Sequence, residues 1–175
     1  MAPLEVWLRG PVAGVPAALQ PVAHALLGAR EDIAAVLAAA APGVLWVRPG
    51  GAASLGFHAL HVAGANDRLF TYARGETLSE AQRAALQAES APGGDDAAAL
   101  LAKLGEVTDA CVAQLRATDP ATLADAREVG RARVPSTVCG LLFHAAEHAQ
   151  RHTGQAIATA KVLAALGPSL AGAAP

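Results

Sequence analysis

The chain has 175 residues, 53% of them hydrophobic, 16% charged and 3% aromatic, which suits one globular domain able to bury a core. Thirteen Lys and Arg against 15 Asp and Glu leave a formal charge of -2, so no basic surplus points to nucleic acid and no acidic tail to a disordered segment. Forty-six alanines, with Leu and Val supplying most of the other apolar positions, favour close-packed helices over sheets of branched and aromatic side chains.

The expected fold is therefore all-α. Its first helix begins around Pro11 to Pro16 and runs to about Ala41, where Pro42 and Gly43 stop it, with Val15, Leu19, Val22, Leu26, Ile33 and Leu37 as its apolar stripe. A connector, Val44 to Gly51, leads to Ser54, which is placed to cap the second helix, about Ala52 to Arg74. Leu55, His58, Val62, Leu69 and Tyr72 form that helix's stripe. A short extra helix, Ser79 to Glu89, is closed by Pro92-Gly93-Gly94 and reads as an excursion from the main bundle.

The third long helix starts after Gly94 with Asp95 and Asp96 at its positive end and continues to about Ala117. Residues Ala121 to Arg133 read as a polar, irregular connector carrying Arg127, Arg131 and Arg133, which suit either solvated surface or an acidic ligand. The fourth long helix follows Pro135 and Ser136 and ends at Gly167-Pro168, before a frayed tail of residues 169–175. Four long helices, each with an apolar stripe that needs a partner, make a four-helix bundle with one short extra helix between helices two and three, spanning 1–175 as a single domain.

The opening residues, Met-Ala-Pro-Leu-Glu-Val-Trp, hold no basic segment followed by an apolar one, so the expected location is cytoplasmic. The longest weakly polar stretch, Ile33 to Val47, is broken by Pro42 and Gly43 and too short to span a bilayer, so no membrane partner is expected. Cys111 and Cys139 form neither a CxxC pair nor a disulfide framework and are both expected to be reduced core residues.

Five of the six histidines fall in two clusters, His58 with His61 and His144 with His148 and His152. Helical residues four apart are offset by about 40° and about 6 Å, which lets two imidazoles reach one ion; residues eight apart, at about 12 Å, cannot. The fourth helix thus offers His144 with His148 or His148 with His152, and the second offers His58 or His61. Two imidazoles from one helix and one from the other would leave a Zn-, Ni- or Fe-type ion with an open position, where a water or thiol has its pKa lowered. His24, alone on the first helix, is expected to be partly exposed or bonded within the core.

Two metal arrangements are excluded, and the sequence gives no support to nucleotide binding or to a serine nucleophile. Ala145 follows His144, so there is no HExxH, and no Glu has a His three positions later, as a di-iron bundle requires. Gly50-Gly51 and Gly93-Gly94 lack a Walker lysine, and no Ser lies in a Gly-x-Ser-x-Gly elbow.

The segment Ala-Ser-Leu-Gly-Phe-His58-Ala-Leu-His61-Val-Ala-Gly-Ala-Asn-Asp, with Leu-Phe-His144-Ala-Ala-Glu-His148-Ala-Gln-Arg-His152-Thr-Gly-Gln155, resembles the DinB-like superfamily of bacterial four-helix-bundle metalloproteins. Members carry one His on helix two and an HxxxH on helix four that runs into a Gly-Gln element. That resemblance implies His61, His148 and His152 as metal ligands, with His58 and His144 beside them to orient a ligand or handle protons. The sequence departs from the commonest family wording at Thr153, where many members have Arg. Members of known activity include metal-dependent thiol transferases and isomerases that use bacillithiol, mycothiol or glutathione. The resemblance therefore implies a divalent ion, Zn or Ni, and a low-molecular-weight thiol or other small-molecule substrate. The alternative is a non-catalytic metal-binding stress-response or sensor protein. Alanine-rich helix faces make a homodimer plausible.

Overall fold

A computed structural model describes residues 4–89, 91 and 93–167. The expected frayed tail, the Pro168 stop and the Pro92 part of the loop closure lie outside the described residues. The chain is mostly helical, with α1 (Gln20–Ala39), α2 (Leu55–Ala73), α3 (Glu80–Ala88), α4 (Ala97–Ala117) and α5 (Val138–Leu166), and a two-stranded sheet of β1 (Ala126–Val129) and β2 (Val134–Thr137).

Side-chain caps set most of the helix starts. Ser54 accepts from the Phe57 amide at the head of α2, Asp96 from Ala99 at α4, and Thr137 from Gly140 at α5. At α3, Ser79 and Gln82 exchange bonds in a capping box. The first helix starts later than its periodicity predicts. The Gln20 side chain bonds the backbone of Val12 and Val15 at 2.7–2.9 Å and holds residues 12–15 as a turn, so α1 begins only at Gln20.

The connector before α5 is a second correction. Its residues form an antiparallel hairpin, Ala126 opposite Thr137 and Val129 opposite Val134. Two four-residue strands, one holding Pro135, give no alternating pattern to read. The proline is tolerated because a two-stranded ribbon has free edges on both sides.

All six residues of the predicted α1 stripe are buried. The helix α1 packs on α5 and α4, and α2 packs on the same two, so that α1 and α2 face each other across the core with little direct contact. Facing positions are small: Ala23, Ala63, Ala145 and Ala149 are completely inaccessible, which lets the helix axes approach closely. The short helix α3 buries none of its residues and lies against α2 from outside. Cys111 is buried as expected, and burial pushes its thiol up to about 12. Cys139 is exposed, contrary to expectation, because it sits in the first turn of α5 beside Val138, which takes the inward position. His24 lies partly buried with Nε2 3.1 Å from the Gly10 carbonyl. Among the described residues no helix is long and apolar enough to cross a membrane.

Trp46 ties the connector to the head of α2. Its indole N–H donates to the Asp95 carbonyl at 3.1 Å, and its ring lies against Gly56 on one helix and Gly93 in the loop before α4. A Cβ at Gly56 would stand 2.8 Å from three indole atoms. Alanine improves helix propensity by about 1 kcal/mol, yet here the ring is held by its hydrogen bond and cannot give way freely. Gly56→Ala is expected to destabilise the fold by about 1–3 kcal/mol in urea denaturation, with a shift in tryptophan emission.

Candidate metal centre

The clusters meet where α2 and α5 run antiparallel, His58 beside His152 and His61 beside His148. One ring nitrogen from each of His61, His148 and His152 lies within 4.8 Å of the others. The Nε2 atoms of His61 and His148 are 2.9 Å apart, and the Nδ1 atoms of His58 and His152 are 3.0 Å apart.

Glu89, which sequence reasoning missed, orients the first of these rings. Its Oε2 accepts from His61 Nδ1–H at 2.8 Å, which leaves the Nε2 lone pair of a neutral His61 pointing at His148. Both carboxylate oxygens also accept from the guanidinium of Arg68, and both residues are buried, Glu89 at 5% and Arg68 at 8% exposed. Burial alone would raise the Glu89 carboxyl, but the bonds from His61 and Arg68 outweigh it and hold the group below its ordinary range. Gly64 makes room for the pair, since a Cβ there would overlap the carboxylate and the guanidinium. That mid-helix glycine is the one signal in the sequence that another group approaches α2 at this level.

His58 is 3% exposed, and burial with the neighbouring His61 lowers its pKa to about 4. Burial lowers His152 to about 4 as well, helped by His61, His148 and His58, and lowers His148 in the same direction. Neutral imidazoles are the form that binds a cation. With His152 Nδ1–H donating to His58 Nδ1, the lone pair that remains on His152 is on Nε2. His148 Nδ1 is buried without a partner, so whichever tautomer it takes, one of its nitrogens meets no complementary protein group.

Phe57 stacks on His61 with centroids 5.1 Å apart and planes 10° from parallel. Beyond it a cavity of about 210 Å³ is lined by Trp46, Arg48, Ser54, Phe57 and Glu89. His144 stands apart from the buried set. Its side chain is half exposed and bonds Glu147 at 2.7 Å, while Arg151 grips the same carboxylate at 2.6 Å. His144, Glu147 and His148 form a second, more exposed group of possible ligands that shares only His148 with the first. Thr153 is buried and donates to the Ala149 carbonyl at 2.8 Å.

Imidazoles converging from two antiparallel helices, one of them held by a buried carboxylate, make a helical protein with a possible metal site. The DinB superfamily model matches residues 25–156, and the chain belongs to that superfamily. No curated protein matches it significantly.

Two outcomes follow. Glu89→Ala strands the buried Arg68 charge and is expected to cost about 3–5 kcal/mol in chemical denaturation. In the presence of chelator, the unfolded chain takes up protons near the ordinary histidine value of 6.5 while His58 and His152 resist until about 4. Unfolding therefore binds protons in that window, and the melting temperature should fall as pH drops from about 6.5 to about 4, then flatten with respect to these groups.

Proposed function

We propose that the protein holds one divalent ion of the Zn or Ni type through His61, His148 and His152, and acts as a metal-dependent thiol S-transferase or thiol-dependent isomerase. The observation that carries the reading is the fixed lone pair of His61, aimed by Glu89 at His148 with His152 alongside. The donor set fits such an ion: three imidazole nitrogens, with burial lowering the pKa of His148 and His152 and the nearest carboxylate spent on orientation. When bound, an ion with three protein ligands supplies an open position at which a thiol is deprotonated near neutral pH.

The side chains divide the remaining work. Glu89 fixes the ring of His61, and the Nδ1 atoms of His58 and His152 share a hydrogen bond, so two of the three rings are held by a partner. Phe57 covers the face of His61, and the cavity beyond it has room for a small molecule, with indole and phenyl walls and the Arg48 guanidinium at its rim. His144 stays outside the ligand set in this reading and serves as a surface partner of Glu147. Superfamily membership supports a four-helix-bundle arrangement over the matched residues 25–156, and the reading takes residues 1–175 as a single domain in a cytoplasmic homodimer.

A second reading is favoured by the depth of the His58–His152 and Arg68–Glu89 pairs, whose loss would disturb the core. In that reading the centre senses or stores metal in a stress response without turnover.

Elemental analysis of protein purified without chelator is expected to give about one Zn or Ni per chain. His148→Ala should lose it, while His144→Ala keeps it. Metal-loaded protein is then assayed with bacillithiol, mycothiol and glutathione against a panel of electrophiles. Turnover that disappears in His148→Ala supports the enzyme; stoichiometric metal with no turnover and a metal-dependent melting shift supports the sensor; absence of metal in wild type refutes both.

A further inference from the structure

A second cleft, of about 1020 Å³, opens between the C-terminal end of α2, the outer face of α3 and the β1–β2 hairpin. Eleven residues of α2 separate His61 from Tyr72 in its wall, which is about 16 Å along the helix, so the cleft is a separate place from the histidine cluster. Four arginines line it, Arg83, Arg127, Arg131 and Arg133, against two carboxylates, Glu76 and Glu128, leaving a surplus of two positive charges in a chain whose net charge is -2.

The carboxylates are already used. Glu128 pairs with Arg133 at 2.5 Å, and Glu76 pairs with Arg74 outside the cleft at 2.7 Å. Among the described residues Arg83, Arg127 and Arg131 have no carboxylate partner. Arg127 is nonetheless held in place: its Nε donates to the Ala73 carbonyl at 2.9 Å and its Nη1 to Ala126 at 2.8 Å, which leaves Nη2 for a ligand. Arg83 likewise donates one nitrogen to the Leu78 carbonyl.

The hairpin supplies an independent observation. Arg133 has φ +50°, and it is the one non-glycine residue with positive φ among the described residues. A left-handed residue with a Cβ costs about 1 kcal/mol that glycine would avoid. The chain keeps an arginine at that turn, where its side chain neutralises Glu128 and so frees the neighbouring guanidiniums from that carboxylate. Between the charges the wall is apolar, formed by Tyr72, Leu78 and Leu86, the last 45% exposed.

We propose that this cleft binds a small organic dianion, a phosphate monoester or a dicarboxylate, whose charge meets Arg83, Arg127 and Arg131 and whose apolar body rests on Tyr72 and Leu86. Arg83, with only Nη1 held by a backbone carbonyl, presents its Nε–Nη2 edge for bidentate recognition of a compact oxyanion, and Arg127 adds a single donor through Nη2 at little further ordering cost. Two negative charges match the local surplus, and the apolar wall rewards a ring or short alkyl chain.

Calorimetric titration of the full-length protein with phenyl phosphate and with phthalate tests this and separates the two anion classes. Saturable one-to-one binding of either supports the proposal, and the tighter of the two names the class. Arg83→Gln and Arg131→Gln, both at exposed positions, should each weaken it about tenfold. Affinity should also fall with added salt. His148→Ala should bind as wild type does, which separates this cleft from any anion held at the histidines. Absence of saturable binding, binding indifferent to both arginine substitutions, or binding lost in His148→Ala overturns the proposal.

Discussion

Much of the local architecture around the histidines depends on one buried carboxylate. Glu89 is 5% exposed at the end of a helix that buries nothing of its own. A charged carboxylate in such a place is stable only when paired and hydrogen-bonded. Arg68 supplies the charge, His61 a further N–H, and Gly64 the space. Each of these lies on α2, so the carboxylate fixes where α3 ends and which way the His61 ring turns in a single constraint. The bonds from the Gln82 side chain to Asp67 and Thr71 hold the other end of α3 to the same helix.

The composition explains why the imidazoles can meet at all. Rings on two helices come within 3.0 Å only where the axes lie close, and the alanines at positions 59, 145 and 149, each at most 1% exposed, keep them close. The same packing excludes water, and desolvation is the largest cause of the lowered pKa at His58, His148 and His152. An alanine-rich interface thus does two jobs: it brings the nitrogens together and keeps them neutral.

The parts of this arrangement that were legible in the sequence are those written as periodicity. The α1 stripe, the Ser54 cap, the short helix opened by Ser79 and the convergence of two histidine-bearing helices all follow from spacing and capping chemistry. Spacing alone left His144 and His152 as rivals; family resemblance favoured His152, and the fold puts His152 with His61 while leaving His144 half exposed beside Glu147. The hairpin escaped because strands of four residues carry no period, and Cys139 because burial in a first helical turn depends on which side the core lies. Glu89 escaped for a deeper reason. Its partner His61 is 28 positions away, and a glutamate at the end of a polar nine-residue helix looks like solvated surface until Gly64 shows that something must lie against α2.

The short helix also runs between the arginine-lined cleft and the histidine cluster. Arg83 and Leu86 face the arginine-lined cleft, and three residues after Leu86 the chain delivers Glu89 to His61. Because α3 has no buried residue, its position rests on polar contacts at its two ends and not on packing along its length. The polar contacts are unequal. At the start they are part-buried bonds from the Gln82 amide to the Asp67 carboxylate and the Thr71 hydroxyl, while at the end they are a buried, doubly bonded ion pair. Removing a hydrogen bond to a charged group costs about 1.5–3 kcal/mol, whereas unpairing a buried charge costs about 3–5 kcal/mol. Displacement of α3 should therefore begin at its Ser79 end, where the cleft lies, and reach the His61 ring last.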